Sequence, residues 1–108
     1  MDDSCIFCKI SSKEIETDIV FESENVIVFH DREPSAEKHF LVVPKKHIVN
    51  FLDLTEKELI WEMDEIMRKL VIDNNLNSSG YKVLFNGGYY QHVQHVHWHL
   101  LGGKMLIK

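Results

Sequence analysis

One stretch of seven residues decides the fold: His95-Val96-His97-Trp98-His99-Leu100-Leu101. Three histidines alternate there with apolar residues. A period of two is typical of a β-strand, whose successive side chains point to opposite faces of the sheet. The histidines would then share one face, while Val96, Trp98 and Leu100 share the other. We therefore expect a sheet with one polar, chemically active face and one apolar face that packs against a helix.

Similar patterns predict further strands before this stretch. The β-prone runs occupy residues 19–21, 26–31, 39–43 and 81–85. The Ser23-Glu24-Asn25 segment between the first two runs indicates a hairpin. A fifth strand over residues 95–101 would be closed by Gly102-Gly103. The sequence thus predicts an antiparallel sheet of about five strands.

One long helix is expected between the third and fourth strands. It should begin at Thr55, because Thr55 and Glu58 fit the capping-box pattern, and it should stop within Asp73-Asn74-Asn75. Apolar residues recur in it at helical spacing and mark one buried face. These residues are Leu59, Met63, Ile66, Met67 and Leu70. The predicted fold class is therefore α+β, with one long helix packed on one face of an antiparallel sheet.

Composition limits the classes of function. The 108 residues, 44% of them hydrophobic, predict one compact domain over residues 1–108. The net charge is -5 and no run of lysine or arginine is present, so we expect no nucleic-acid partner. No apolar stretch approaches the ~18 residues of a membrane span, and the first residues are acidic where a secretory signal is basic. We expect no membrane partner, and a location in the cytoplasm or in both cytoplasm and nucleus.

Two kinds of chemistry fit a row of three histidines on one face of a strand. In the first, imidazole nitrogens at positions i and i+2 chelate a catalytic metal, with His39 or Glu37 as a third ligand. In the second, one imidazole attacks phosphorus while its neighbours place protons and neutralise the developing charge. The second chemistry needs no metal, and the spacing alone leaves both open.

Several segments of the sequence together resemble one protein family, over nearly the whole chain. The alternating stretch matches the His-φ-His-φ-His-φ-φ signature, with φ apolar, of the histidine triad (HIT) superfamily. Further segments resemble its Hint-type nucleotide-binding phosphoramidase branch: Cys5-Ile6-Phe7-Cys8-Lys9-Ile10, Phe29-His30-Asp31, His39-Phe40-Leu41-Val42-Val43-Pro44-Lys45-Lys46-His47-Ile48 and Gly102-Gly103. The resemblance implies a HIT-like fold with a short N-terminal helix, assembled as a homodimer.

The resemblance also implies an activity. The expected reaction is cleavage of the P–N bond of purine nucleoside phosphoramidates, of the AMP-NH2 or lysyl-AMP type, through a nucleotidyl-histidine intermediate. The implied nucleophile is His97, and His99 would hydrogen-bond the phosphoryl oxygens. His95 and His39 would orient the row. The expected partner is thus a purine nucleotide of the AMP type.

Nucleotide contacts are implied at several other matching positions. They are Phe7, Ile10, Asp31, Arg32, Asn86, Gln91 and His92, in addition to His97 and His99. Phe7 and Ile10 would form apolar walls for the base, and Asp31 would accept hydrogen bonds from the ribose hydroxyls. The family commonly has serine or threonine at the position of His92. We hypothesise that His92 supplies the proton to the leaving group, the alternative being an exposed histidine on a loop.

A structural zinc ion is the one cofactor that the resemblance implies. Some members that begin with Cys-x-x-Cys bind zinc through four residues whose counterparts here are Cys5, Cys8, His47 and His95. A closed Cys₂His₂ set is typical of structural zinc rather than catalytic zinc, so the chemistry would need no cofactor. The alternative is a pair of reduced thiols in an ordered N-terminal turn.

Two other functions stay open. A dinucleoside polyphosphate hydrolase of the fragile-histidine-triad branch is the nearest other enzyme, and the Gly102-Gly103 pair argues against it. Outside the enzymes, the alternative is a zinc-containing interaction protein that binds nucleotide with little turnover.

Overall fold

Five antiparallel strands form a sheet, and the long helix lies on one of its faces. The structure, a computed structural model, describes residues 5–106. The helices are α1 (Ile6–Ser11), α2 (Lys57–Asp73) and α3 (Leu76–Ser79). The strands are β1 (Ile19–Glu22), β2 (Val26–His30), β3 (Ala36–Pro44), β4 (Tyr81–Leu84) and β5 (Trp98–Met105), in the order β1-β2-β3-β5-β4. The α+β class, the antiparallel sheet and the short N-terminal helix are confirmed.

Side-chain alternation along the strands separates two apolar clusters. The cluster on the α2 side contains the predicted buried stripe of α2 together with Val96 and Leu100, and Trp98 packs against it. The cluster on the opposite side joins Phe7 and Ile10 of α1 to β2 and β3. Each such buried side chain contributes about 2 kcal/mol of apolar burial. The expected division into an apolar helix side and a second, histidine-bearing side is confirmed.

Helix α2 begins two residues later than predicted. Its N-cap residue is Glu56, whose side chain makes no capping hydrogen bond and pairs with Lys46 instead. The preceding single turn of 3-10 helix ends on Leu54, where a ψ of 87° keeps the backbone out of the helical region. The predicted capping box of Thr55 and Glu58 is therefore wrong, whereas the predicted end of the helix is confirmed.

Strand β5 differs from the prediction at both ends. It was expected over residues 95–101 and runs over Trp98–Met105. Before Trp98 the ladder stops, because Pro44 of β3 has no N–H to donate and its carbonyl accepts from the ring of His95. At the other end the glycine pair continues the strand, with Gly103 at a φ of 77° beside a register shift. Strand β3 is likewise longer than residues 39–43, because Ala36 still pairs with Met105.

Helix α3 is an element that the sequence pattern does not predict. It packs Leu76 against β5 at Gly102, where an added Cβ would lie 2.5 Å from the Leu76 side chain. Glycine is therefore required for this close approach. Within residues 5–106, no helix has both the length and the apolar character that a membrane crossing needs.

Candidate active site

The floor of the candidate site follows from the pairing register of the sheet. One cross-strand row runs, in sheet order, through Phe29, Leu41, His99 and Leu84. The next row runs through His39, Leu101 and Lys82. It begins beside Asp31, whose N–H donates to the His39 carbonyl. Residues paired across strands point to the same face, so these side chains converge on the side of the sheet opposite α2.

A cleft of about 990 Å³ opens over these rows. It brings together most of the residues that the sequence assigned to the site: Phe7, Ile10, Asp31, Arg32, His39, Asn86, His92, His97 and His99. Two assigned residues, Gln91 and His95, do not line it. The buried Gln91 side chain donates to the carbonyls of Val49 and Val93 and so braces the segment before β5. His95 is fully buried beside the N-terminal helix.

A backbone hydrogen bond holds the ring of His97. Its Nδ1 lies 2.7 Å from the carbonyl oxygen of His95, and because a carbonyl only accepts, Nδ1 carries the proton. The neutral ring therefore keeps its lone pair on Nε2. Phe7 packs edge-on against the ring, with the centroids 5.0 Å apart. His97 thus combines a fixed orientation with a lone pair, as a nucleophile requires.

A second chain of hydrogen bonds sets the protons of His39 and His99. The N–H of Ser35 donates to Nδ1 of His39 at 3.0 Å, so the proton of the neutral His39 ring is on Nε2. That Nε2 lies 2.8 Å from Nδ1 of His99, which accepts, and 3.4 Å from a carboxylate oxygen of Asp31. The proton of His99 is consequently on its own Nε2. This buried N–H has no hydrogen-bond partner among residues 5–106.

An unpaired buried donor is unfavourable in a folded protein. It costs about 1–3 kcal/mol, and buried donors are therefore nearly always paired. The ring of His99 lines the cleft beside His97, with the two centroids 4.9 Å apart. A lone pair on one ring and an N–H donor on the next make a site suited to a phosphoryl group.

Burial keeps these rings uncharged. Desolvation, together with the neighbouring His97 and His39, lowers the pKa of His99 to about 4. Desolvation is also the main reason why the pKa of His97 lies below its usual range. An uncharged imidazole at neutral pH retains its lone pair, so the electrostatics favour a nucleophilic role for His97.

Four buried or half-buried donors meet at the N-terminus of α1, next to the cleft. They are the sulfurs of Cys5 and Cys8 and the Nδ1 atoms of His47 and His95, all within 4.8 Å of one another. Nδ1 of His95 lies 3.3 Å from the Cys5 sulfur and 3.2 Å from Nδ1 of His47. The Cys8 sulfur lies 3.2 Å from Nδ1 of His47.

This donor set fits a tetrahedral zinc ion. Donors at the usual zinc–nitrogen and zinc–sulfur distances stand roughly 3.3–3.8 Å apart in a tetrahedron, close to the separations found. Nε2 of His95 donates to the carbonyl of Pro44 at 2.7 Å, which leaves the lone pair of this ring on Nδ1, toward the sulfurs. Such a carbonyl partner is typical of a metal-binding histidine.

A second group with metal-ligand chemistry consists of Asp31, His39 and His99, within the cleft. To ligate a metal here, His39 would need its lone pair on Nε2. The N–H of Ser35 already takes the lone pair of Nδ1, so Nε2 carries the proton. This arrangement favours a hydrogen-bonded chain of neutral histidines. It argues against the catalytic metal, chelated by the histidine row, that the sequence left open. Glu37, the other ligand considered, accepts from the N–H of Lys104 instead.

Among the cleft residues that the sequence analysis did not assign, Ser35 and Lys82 bear most on the chemistry. Ser35 acts through its backbone N–H, which no side-chain pattern reveals. Lys82 lines the cleft from β4, two residues before Leu84. The alternation Lys82, Leu84, Asn86 would have indicated it, had the face of β4 been tracked.

The chain matches one family model over residues 4–107, described as "Scavenger mRNA decapping enzyme C-term binding". An uncharacterised HIT-like protein of Chlamydia trachomatis is 41% identical over 105 residues, which cover 94% of this chain and 94% of that protein. A HIT family hydrolase of Legionella pneumophila has a similar structure, with a TM-score of 0.89 and 38% identity over 96% of both chains.

A histidine triad nucleotide-binding protein of Candida albicans is also similar in structure. The TM-score is 0.86 and the identity 34%, over 94% of this chain and 76% of that chain. The likeness to each of these proteins extends over nearly the whole of this chain.

Proposed function

Because this chain belongs to the histidine triad superfamily, we propose that it is a nucleotide hydrolase that cleaves the P–N bond of purine nucleoside phosphoramidates. The observation that carries the proposal is the pairing of two neighbouring rings in the cleft. His97 offers a lone pair on Nε2, and His99 offers an unpartnered N–H. The similar proteins support the broader class, since one is described as a hydrolase and another as nucleotide-binding.

The nucleoside would occupy the β2 end of the cleft. Phe7 and Ile10 supply apolar walls there for a purine, and Asp31 offers a carboxylate to the ribose hydroxyls. Arg32 lines the same end. This placement puts the α-phosphorus over the two rings in the middle of the sheet.

Two displacements at phosphorus would complete the reaction. Nε2 of His97 attacks the α-phosphorus, a new P–N bond forms, and the bond to the substrate amine breaks as that amine takes up a proton. Nε2–H of His99 donates to a phosphoryl oxygen, where charge develops. Water then attacks the nucleotidyl-histidine: its oxygen bonds to phosphorus, it gives up a proton to solvent, and the bond from phosphorus to Nε2 breaks, so that His97 recovers its lone pair. One water is consumed and a nucleoside monophosphate and an amine are released.

His92 is the proposed source of the leaving-group proton. Its side chain is exposed and lines the cleft, so it is open both to solvent and to a bound substrate. Its charge reaches both reacting rings, because a protonated His92 adds to the burial that lowers the pKa of His97 and His99. Turnover of an alkylamine-leaving substrate by His92→Asn at the wild-type rate would contradict this role.

A zinc ion would be held by Cys5, Cys8, His47 and His95. When bound, it supplies a structural cross-link between α1 and the sheet and takes no part in the chemistry. The chain's own link to the site is the carbonyl of His95, which accepts the proton of His97 Nδ1. The position of the zinc ligand therefore sets the orientation of the nucleophile.

The function is tested by comparing kcat/KM for adenosine 5′-phosphoramidate and for a diadenosine polyphosphate. We expect the phosphoramidate to be preferred, and His97→Asn to lower kcat on the order of 10³-fold or more. Asparagine can still donate to the His95 carbonyl, so the fold is kept. Lys69→Gln is the control and should retain activity, because Lys69 pairs with Asp73 on α2 and does not line the cleft.

Two other outcomes would each favour a different function. Preference for the diadenosine polyphosphate would indicate a dinucleoside polyphosphate hydrolase. Binding of AMP without turnover of either substrate would indicate an interaction protein that binds nucleotide.

A further inference from the structure

The two ends of the cleft carry opposite charge. Carboxylates outnumber cations at the β2 end, where Asp18, Asp31 and Glu33 lie with the single cation Arg32. No carboxylate from residues 5–106 lines the β4 end, whose polar residues are Lys82, Asn86 and His92. A lone cation at one end of a cleft is notable in a chain whose net charge is -5. The end formed by these three residues is called the β4 end below.

Lys82 is held on the cleft side by the register of the sheet. It pairs with Leu101 of β5, which also lines the cleft. Several other lysines, Lys13, Lys45, Lys46 and Lys69, form ion pairs with carboxylates. Lys82 forms no ion pair with any residue in the described part of the chain. Its ammonium group is therefore available to a ligand.

The position of Lys82 separates it from the reacting phosphoryl group. It lies two residues along β4 from Leu84, which pairs with His99, and two residues of strand span about 6.8 Å. If the nucleoside lies at the β2 end and phosphorus over His97 and His99, the substituent that leaves phosphorus extends toward the β4 end. The flexible four-carbon stem of lysine places a point charge beside such a substituent.

We propose that Lys82 is a specificity-determining residue that selects substrates whose leaving group carries a negative charge. The substrate class is then a nucleoside 5′-phosphoramidate whose amine belongs to an amino acid or another amine bearing a carboxylate. This inference rests on the proposed function for the placement of phosphorus. It assigns to Lys82 the carboxylate of the leaving group and not the phosphoryl oxygens.

The test uses two ligands that differ only in charge, adenosine 5′-phosphoramidates of glycine and of glycinamide. Equilibrium dissociation constants are measured by calorimetry on His97→Asn protein, so that the result does not depend on hydrolysis. We expect the glycine compound to bind about twofold to fivefold more tightly, within the range for a single solvent-exposed charge pair. Lys82→Gln should remove this preference, and Lys82→Glu should reverse it.

Lys38→Gln is the matched control. Lys38 is an exposed lysine of β3 that contacts Asn74, and this variant should keep the preference. Equal binding of the two compounds, or an equal loss of affinity for both in Lys82→Gln, would overturn the inference, the latter because it would place Lys82 on the phosphate. Turnover of both compounds by the wild-type protein is measured separately. Absence of that turnover would contradict the proposed function without affecting the binding ratio.

Discussion

Ser35, His39 and His99 form a chain of hydrogen bonds in which every proton has one position. The chain begins at a backbone N–H and ends at the unpartnered Nε2–H of His99, at the cleft. A protonated His39 ring does not fit this chain, because its imidazolium would direct an N–H at the N–H of Ser35. The network therefore favours neutral histidines, in agreement with the lowered pKa of His99.

Stability should consequently fall in mild acid. Burial lowers the pKa of His99 to about 4 in the folded protein, whereas an exposed histidine has a pKa of about 6.5. Between these values the unfolded chain binds more protons, so the free energy of unfolding decreases as pH falls from 6.5 to 4. For one such group the loss approaches about 3 kcal/mol. Urea denaturation at pH 7.5, 6 and 5 measures it.

His99→Gln is the comparison variant for this measurement. This substitution should reduce the dependence of the unfolding free energy on pH by the contribution of about one proton. The contributions of His95 and His97, whose pKa values are also lowered, should remain. A pH dependence identical to that of the wild-type protein would contradict the account of His99.

At this scale the sequence predicted which side chains meet but not where their protons lie. Alternation placed His97 and His99 on one face, because the period of a strand is fixed by backbone geometry. The protons depend on Ser35 N–H and on the carbonyls of Pro44 and His95, which are backbone groups. The positions of these backbone groups follow from the tertiary fold, and residue types alone do not reveal them.

Helix α1 is the element whose stability would depend most on a bound zinc ion. It has only six residues, too few for a helix that is stable on its own, and it carries Cys8 while Cys5 caps its start. Zinc binding by these sulfurs would join it to His47 and His95. The helix also positions Phe7 against the ring of His97. Loss of the ion should therefore disturb the orientation of the His97 ring.

Metal removal gives the corresponding prediction. The wild-type protein should bind about one zinc per chain, and Co²⁺ in its place should give the absorption of a tetrahedral thiolate site. Cys8→Ser should lose the ion and about tenfold in kcat, because the shell that orients His97 is loosened. Lys69→Gln, on α2 and outside both the cluster and the cleft, should keep both. Full activity in zinc-free protein would contradict the link between the cluster and His97.

Elements were predictable where the pattern was long and regular. The buried stripe of α2 and the hairpin of β1 and β2 belong to this class. The boundaries of the elements were not predictable, because they depend on tertiary contacts. The start of β5 depends on Pro44 in the neighbouring strand, and α2 starts only after the non-helical backbone of Leu54. Helix α3 has four residues, too few for a periodic pattern, and its Leu76 packs against Gly102.

The whole molecule exposes an apolar strand at one edge of the sheet. On β4, Tyr81 and Val83 are 54% and 46% exposed, and Phe85, which follows the strand, is 44% exposed. An exposed apolar edge strand is prone to pair with another chain. We therefore propose that two copies pair through β4 as a homodimer. The single domain over residues 1–108, the cytoplasmic location and the lack of nucleic-acid or membrane partners stay predictions.

Sedimentation velocity tests the dimer. The wild-type protein should sediment as a dimer, and Val83→Asp should shift it toward the monomer by placing a charge in the interface. Val20→Asp is the matched control at the other edge of the sheet, on β1, where Val20 is 37% exposed, and it should leave the dimer intact. If Val20→Asp alone dissociated the dimer, the interface would lie at β1 and not at β4.

The stereochemical course at phosphorus tests most directly the claim that His97 acts as a nucleophile. The substrate is an adenosine 5′-phosphoramidate made chiral at phosphorus by oxygen isotopes and sulfur, and the configuration of the product is read by phosphorus NMR. Two successive in-line displacements, through a nucleotidyl-His97 intermediate, predict retention of configuration. Inversion would mean a single direct attack by water and would contradict the account.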